Sequence, residues 1–387
     1  MLSQHTVPLF SIGFNFDPEL IVGLINLNEG HKNQGRISEV FGALNDSPIS
    51  SARPTTRIPE IGWKNFEQQV RSLKSYGIEF NFLMNTQQKT QSINDELIND
   101  YIKRLKSIGI FRITAGTPEL CRFIKTNHQD CHVTISLTYG TKSLNKLEKV
   151  IQAGADAVYL DAVFVNRDFP LLRSLLKYSS IECKLYANVS CISHCPVVKQ
   201  HYGIFAGKQT RMTEKLNDLF FAGCSLSKLS SPIEWIQMPW IRPEDVDVYS
   251  SEGIKNFKLS DRLATTNTLL KIAKAYLSKT TPDNLFEIIE RDGKKYNDLI
   301  FGAKNDIEKT LSPMHVASNK IPKIFIEHFV KGSCNSRNIE CSICQNVTVQ
   351  AVKINNDFIP QKDLFGYSDK LPNNLLDRIR HPQKVFQ

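Results

Sequence analysis

Apolar residues recur through the first two-thirds of the chain in short runs. Each run is followed by a polar turn and then by apolar positions at helical spacing. Runs rich in Val, Ile, Phe and Tyr, bounded by Gly, Asn, Asp or Pro, read as strands. They fall at Leu9–Phe14, Ile37–Phe41, Glu79–Met84, Phe111–Thr114, His132–Ser136, Ala157–Leu160, Lys184–Ala187, Trp235–Met238 and Phe257–Leu259. Between them lie amphipathic helices. The helix from Asn94 to Ser107 puts Leu97, Tyr101, Leu105 and Ile108 on one face, with Gly109 at its C-terminal cap. Leu144, Leu147, Val150 and Ile151 repeat the pattern ahead of Gly154.

The stretches SYGIEF, SIGIFRI, QAGADAVYL and SEGIKNFKL share one layout: helix end, glycine, short link, strand. Such recurrence marks successive βα units. About eight of them in roughly 250 residues predict a TIM-type (β/α)8 barrel. An open doubly wound sheet is the alternative. It would carry a Gly-rich phosphate loop after its first strand, and SIGFNFDPEL is not one. Beyond about residue 270 the pattern changes. Thr265–Leu277 and Asn284–Arg291 read as helices, followed by Cys334, Cys341, Cys344 and an irregular polar tail. The expected division is a barrel over 1–270 and a cysteine-containing, partly helical C-terminal extension over 271–387, packed on the barrel.

The length of 387 residues suits one large barrel and an appendage, and 41% hydrophobic residues sustain a core. No run reaches the ~18 consecutive apolar residues of a membrane span. Met1–Pro8 lacks the charged start and apolar stretch of a signal peptide. A cytoplasmic protein with no membrane partner is expected. The net charge of +9 would suit RNA or another polyanion. The lysines are scattered and not interleaved with aromatic residues, so a plain basic surface is the favoured account of them.

Cysteine usage changes the picture most. Nine cysteines without a secretory signal do not suggest a disulfide framework. Cys191 and Cys195 form a CxxxC in KLYANVSCISHCPVVKQH, just past a strand ending near Ala187. That is the top loop, where barrel enzymes place their chemistry. Pro196 keeps the loop from becoming helix, and Cys224 follows in FAGCSLSK. Soft thiolates at such spacing suit an iron–sulfur cluster, with zinc as the alternative. Ordinary core cysteines would also fit. A second group, Cys334, Cys341 and Cys344, includes a CxxC. The two groups share one cluster or hold two. Cys344 is the expected fourth cluster ligand and Cys341 a further metal ligand, while Cys183 is either a ligand or strand packing. Cys121 and Cys131 read as core.

Other candidates are polar. Glu39 reads as ending a strand at the barrel mouth. Arg53 and Arg57, in SSARPTTRIP, suit a carboxylate or phosphate through the planar guanidinium. Asn166, Arg167 and Asp168 follow the sixth strand, and Asn188 ends the next. His194, between Cys191 and Cys195, and His201, six residues after Cys195, are candidate proton donors.

The segments ISEVFGAL…SSARPTTRIP, GIEFNFLMN, GADAVYLDAVFVNRDF, KLYANVSCISHCP, PWIRPEDVDVYSSEGIKNFKLSDR and the late CSIC together resemble the collagenase-like U32 peptidase family. The resemblance runs from about Phe10 to Cys344. It implies a TIM-type barrel with a cysteine-bound iron–sulfur cluster, of the 4Fe–4S kind, held by Cys191, Cys195 and Cys224. It further implies oxygen-independent hydroxylation, or a related modification, of a small molecule or peptide in a biosynthetic pathway, with Glu39, Arg53 and Asn188 orienting the substrate. Branches acting on transfer or ribosomal RNA make an RNA-modification protein the alternative. A non-catalytic subunit serving a related barrel, or donating electrons, is another. The E-x-F-x-H-G signature of the branch that gave the peptidase name does not occur here, so peptidase activity ranks last.

Overall fold

Apolar strands buried on both faces need helices outside and side chains inside, and the chain supplies both by closing on itself. The structure is a computed structural model that describes residues 7–51, 58–85, 94–206, 220, 223–260, 264–289, 314–334, 341–354 and 357–365. Eight parallel strands form a closed barrel in chain order: β1 (Leu9–Gly13), β2 (Arg36–Gly42), β3 (Glu79–Met84), β4 (Arg112–Ala115), β5 (His132–Ile135), β6 (Ala157–Tyr159), β7 (Glu182–Tyr186) and β8 (Asn256–Leu259). The ring shuts where β8 pairs with β1, Phe10 opposite Phe257. The TIM-type barrel is therefore present, and closure excludes the open sheet.

Helices α1 (Pro18–Gly30), α2 (Trp63–Ser75), α3 (Asp95–Ser107), α4 (Pro118–Asn127), α5 (Leu144–Gln152), α6 (Ala162–Val165) and α7 (Phe169–Tyr178) follow successive strands. Their starts are written in the sequence. Asp17, Asn94, Thr117, Ser143, Asp161 and Asp168 each accept a first-turn N–H at a helix N-cap. Gly109 and Gly154 take φ of 94° and 79° where α3 and α5 end, a conformation that favours glycine. The buried face of α3 is Ile98, Tyr101, Ile102 and Leu105, whereas Leu97 is 59% exposed. Tyr101, Leu105 and Ile108 are thus buried as expected, and Ile98 and Ile102 fill the part of the face assigned to Leu97. Leu144 likewise opens α5 on its exposed side.

One strand candidate is a helix. Trp235–Met238 lies over the short helix Ile233–Gln237, which begins after Pro232. Trp235, Ile236 and Met238 are all buried, and a short apolar run buried all round has no period to separate helix from strand. It belongs to the long excursion between β7 and β8, with helix α8 (Val198–Ala206) and the helix Val246–Ser251. The helix Thr266–Leu277 packs on α1, β1 and β2, so the last barrel helix runs past residue 270. In place of a helix at Asn284, Asn284 caps a single 3-10 turn, Leu285–Glu287, and residues 290–313 lie outside the described part.

In the extension, the helix Ile324–Val330 packs on α7, and the helix Ser342–Ala351 packs on Ile233–Gln237. A small antiparallel sheet joins β9 (Met314–Val316), β10 (Val352–Ile354) and β11 (Asp357–Phe358), with β10 in the middle. Among the described residues no helix is long and apolar enough to cross a membrane.

The barrel lumen is polar. Ser11 on β1 and Tyr159 on β6 hydrogen-bond across it at 3.1 Å. Asn81 Oδ1 accepts the Thr114 hydroxyl at 2.8 Å, and Arg112 faces Glu39 at 3.7 Å. Lys258 places its ammonium over the rings of Phe41 and Tyr159.

Candidate functional site: the cysteine loop at the barrel mouth

The loop leaving β7 is pinned before it reaches its first cysteine. Ala187 N–H donates to the Lys258 carbonyl on β8, and Ile241 N–H returns to the Ala187 carbonyl. Asn188 is fully buried, and its amide serves backbone. Nδ2 donates to the carbonyls of Ser260 and Ile288, and Oδ1 accepts from Ser260 N–H at 2.9 Å.

Past this anchor, Cys191 lies within electrostatic reach of Cys195 and Cys224. The Cys191 thiol is pushed up to about 12, first by burial and then by Cys224 and Cys195; Lys228 opposes the shift, as does a hydrogen bond with Tyr202. Cys195 accepts N–H bonds from Val197 and Val198, and feels both Lys228 and Glu234. Lys228 is 2% exposed, and its ammonium donates to the Ser190 carbonyl at 2.7 Å. It also stands 5.1 Å from the Trp235 ring, while Ser227 donates to both Glu234 carboxylate oxygens. Tyr202, on α8, is the bridge to the barrel. Its hydroxyl is held protonated by burial and by the neighbouring Cys191, Asp161 and Tyr186. Asp161, just past β6 at the mouth, accepts Val163 N–H, and burial raises its carboxyl to about 6 against the pull of Lys142 and Lys146.

His194 lies between the cysteines at φ 53°, an uncommon conformation for a residue with a side chain. Its N–H donates to the Val163 carbonyl, its Nδ1 meets the Ser193 hydroxyl at 3.0 Å, and its ring sits edge-on to Phe164. The His201 ring stacks on Phe220. Glu39 is mid-strand in β2, not at its end. It is 5% exposed in the lumen and paired with Arg112, which opens β4, so it lies below the mouth. Arg53 and Arg57 fall outside the described residues.

Asn166, Arg167 and Asp168 form a structural junction. Asn166 Nδ2 donates to the carbonyls of Tyr186 and Pro239, each at 2.8 Å. Arg167 donates to the Ile236 and Trp240 carbonyls and lies against Trp240, Phe325 and Phe329. Asp168 caps α7. Cys121, Cys131 and Cys183 are packed in the hydrophobic core.

The second cysteine group gathers around Arg167 and His328. Cys341 Sγ is 3.7 Å from His328 Nε2. The Cys341 thiol is lowered to about 5, first by a hydrogen bond from Cys344 and then by the N–H groups of Cys344 and Ile343 at the start of the helix Ser342–Ala351. The Cys344 thiol is raised in consequence, and Cys334 stands within electrostatic reach of Cys341, Cys344 and Arg167. Among the described residues no set of three or more His, Cys, Asp and Glu side chains stands ready-made to hold a metal ion.

The donor chemistry of the first trio nevertheless suits a thiolate-bound cluster. Cys191 stands within electrostatic reach of the other two sulfurs and of the buried Lys228 ammonium, and Cys195 accepts from the N–H groups of Val197 and Val198, groups that stabilise negative charge on sulfur. Sequence reasoning missed Asp161, Tyr186, Tyr202 and Lys228. Only Asp161, at the C-terminal end of a barrel strand, carried a positional signal.

The fold and this loop define a (β/α)8-barrel protein with a cysteine-lined mouth. No family model matches the chain. It is 24% identical over 355 residues to the uncharacterized protease MJ1657 of Methanocaldococcus jannaschii, covering 89% of this chain and 99% of that one. Likeness over nearly the full length of both chains supports the U32-like resemblance read from the sequence. Among solved structures, the U32 peptidase Mk0906 is 14% identical with a TM-score of 0.44, over 67% of this chain and 95% of that one.

Proposed function

We propose that the protein is an iron–sulfur-dependent U32-like enzyme that modifies a small molecule or peptide without molecular oxygen. The observation that carries this reading is the placing of Cys191 within electrostatic reach of Cys195, Cys224 and Lys228 and in a hydrogen bond with Tyr202, in the loop past β7. Cys191, Cys195 and Cys224 would hold the cluster, which when bound supplies a Lewis-acidic iron or an electron relay. The chain's own groups do the rest. Lys228 fixes the loop through Ser190 and offsets anionic sulfur. Tyr202 keeps its proton between Cys191 and Asp161. Asp161, its carboxyl raised to about 6 by burial, exchanges a proton with the substrate.

The test is anaerobic purification followed by iron and sulfide analysis and a visible spectrum. Stoichiometric iron and sulfide, lost together with colour in Cys195→Ser, is the expected result. Metal-free wild-type protein, or bound zinc, sinks the reading. The relative's name favours a second reading, peptide hydrolysis. Digestion of casein or gelatin by the reduced, iron-loaded protein would establish it, and intact substrate would dismiss it.

A further inference from the structure

The CxxC of the extension stands apart from the mouth in its neighbours and in its geometry. Cys341 occupies the N-cap of the ten-residue helix Ser342–Ala351 and is partly exposed. Cys344, one turn in, is buried at 2% exposure. The helix spacing stacks Cys344 one turn behind Cys341, and His328 Nε2 lies 3.7 Å from Cys341 Sγ. A partly exposed thiol beside an imidazole, with a shielded partner thiol one turn behind it, is the arrangement in which the first sulfur attacks and the second resolves.

We propose that Cys341 and Cys344 form a redox-active dithiol that reduces a disulfide-containing substrate, with Cys341 as the attacking sulfur and Cys344 as the resolving one. In the first step Cys341 sulfur attacks one sulfur of the substrate disulfide. A mixed disulfide forms, the substrate S–S bond breaks, and one substrate thiolate leaves and takes up a proton. In the second step Cys344 loses its proton and attacks Cys341 sulfur, which releases the second substrate thiolate. The two protein thiols give up two electrons and two protons, and the substrate disulfide becomes two thiols. His328 is placed to exchange the proton at Cys341, and the Arg167 guanidinium favours negative sulfur at Cys344 during resolution.

Oxidised glutathione is the probe, applied to the full-length protein reduced under anaerobic conditions and also to the Cys195→Ser background. The dithiol and the cluster of the preceding section thereby succeed or fail separately. Mass mapping of wild-type protein should find the Cys341–Cys344 disulfide. Cys344→Ser should trap glutathione on Cys341, Cys341→Ser should slow glutathione consumption by about tenfold or more, and Cys334→Ser should leave both behaviours intact. Should a variant fail to fold, the wild-type map alone decides. A different cysteine pairing, no adduct on Cys341 in folded Cys344→Ser, or a metal ion held one-to-one by reduced wild-type protein and lost from both variants would overturn the proposal.

Discussion

The ammonium of Lys228 lies 2.7 Å from the carbonyl oxygen of Ser190, the residue immediately before Cys191. One buried cation thereby fixes the path of the cysteine loop and bears on the charge of two of its sulfurs. Hydrogen bonds to charged groups contribute about 1.5–3 kcal/mol. Lys228→Met should therefore lower stability by about that much, and should lower the iron retained per chain after anaerobic preparation. Iron content equal to that of wild type would separate Lys228 from the cluster.

Asp161 supplies a pH signature. Its ordinary value is 3.8, and burial lifts it to about 6 in the folded protein. Between about pH 4 and 6 the folded state keeps a proton that the unfolded chain has released. Stability attributable to this group is therefore complete below about pH 4, declines as pH rises, and is flat above about 6. The difference of about two units corresponds to at most about 3 kcal/mol. Asp161→Asn retains an acceptor for Val163 N–H and should be more stable than wild type at pH 7 but not at pH 4. Parallel urea titrations at the two values check this. An equal gap at both would place the burial cost elsewhere.

The barrel was legible because its strands are short apolar runs separated by helices with clear caps and glycine stops. Leu9, Glu79, His132 and Ala157 each begin a strand where the pattern predicts one. Trp235–Met238 failed because a run apolar on every side reads alike in both conformations. Glu39 was misplaced because β2 continues to Gly42, which moves the carboxylate from the rim into the lumen beside Arg112. At the site, Cys191 and Cys195 were visible through their spacing. Lys228, Tyr202 and Asp161 reach them only through the fold, from three separate segments, and no local pattern marks such residues.

Arg167 ties the segment after β6 to the extension. Its guanidinium lies 4.2 Å from the Trp240 ring and 5.1 and 5.0 Å from the rings of Phe325 and Phe329, while donating to two carbonyls. Lysine keeps the charge but loses the flat face and the forked donors. Arg167→Lys should cost about 2–4 kcal/mol, summing lost charged hydrogen bonds and ring contacts. Thermal unfolding followed by tryptophan emission reads it. A lysine variant as stable as wild type would show that charge alone sufficed.

Arg242 and Asp245 make a two-pronged ion pair, at 2.7 and 3.0 Å, with both side chains buried. Arg242 also donates to the Ile321 carbonyl, which fastens the extension to the PWIRPEDV segment. Removing Asp245 leaves the buried Arg242 with only the half-exposed Glu244, at 3.7 Å, as a counter-charge, at a cost of up to about 3–5 kcal/mol. Asp245→Leu should therefore be severely destabilised. Adding Arg242→Met removes the stranded guanidinium, so the double variant should recover part of that loss despite having lost more polar contacts. The Ile321 carbonyl stays unpaired in the double variant and keeps it below wild type by about 1–3 kcal/mol. Denaturant unfolding of the three variants closes the cycle. A double variant less stable than Asp245→Leu alone would mean that Arg242 holds the extension mainly through Ile321, and that its charge is not the burden this pairing implies.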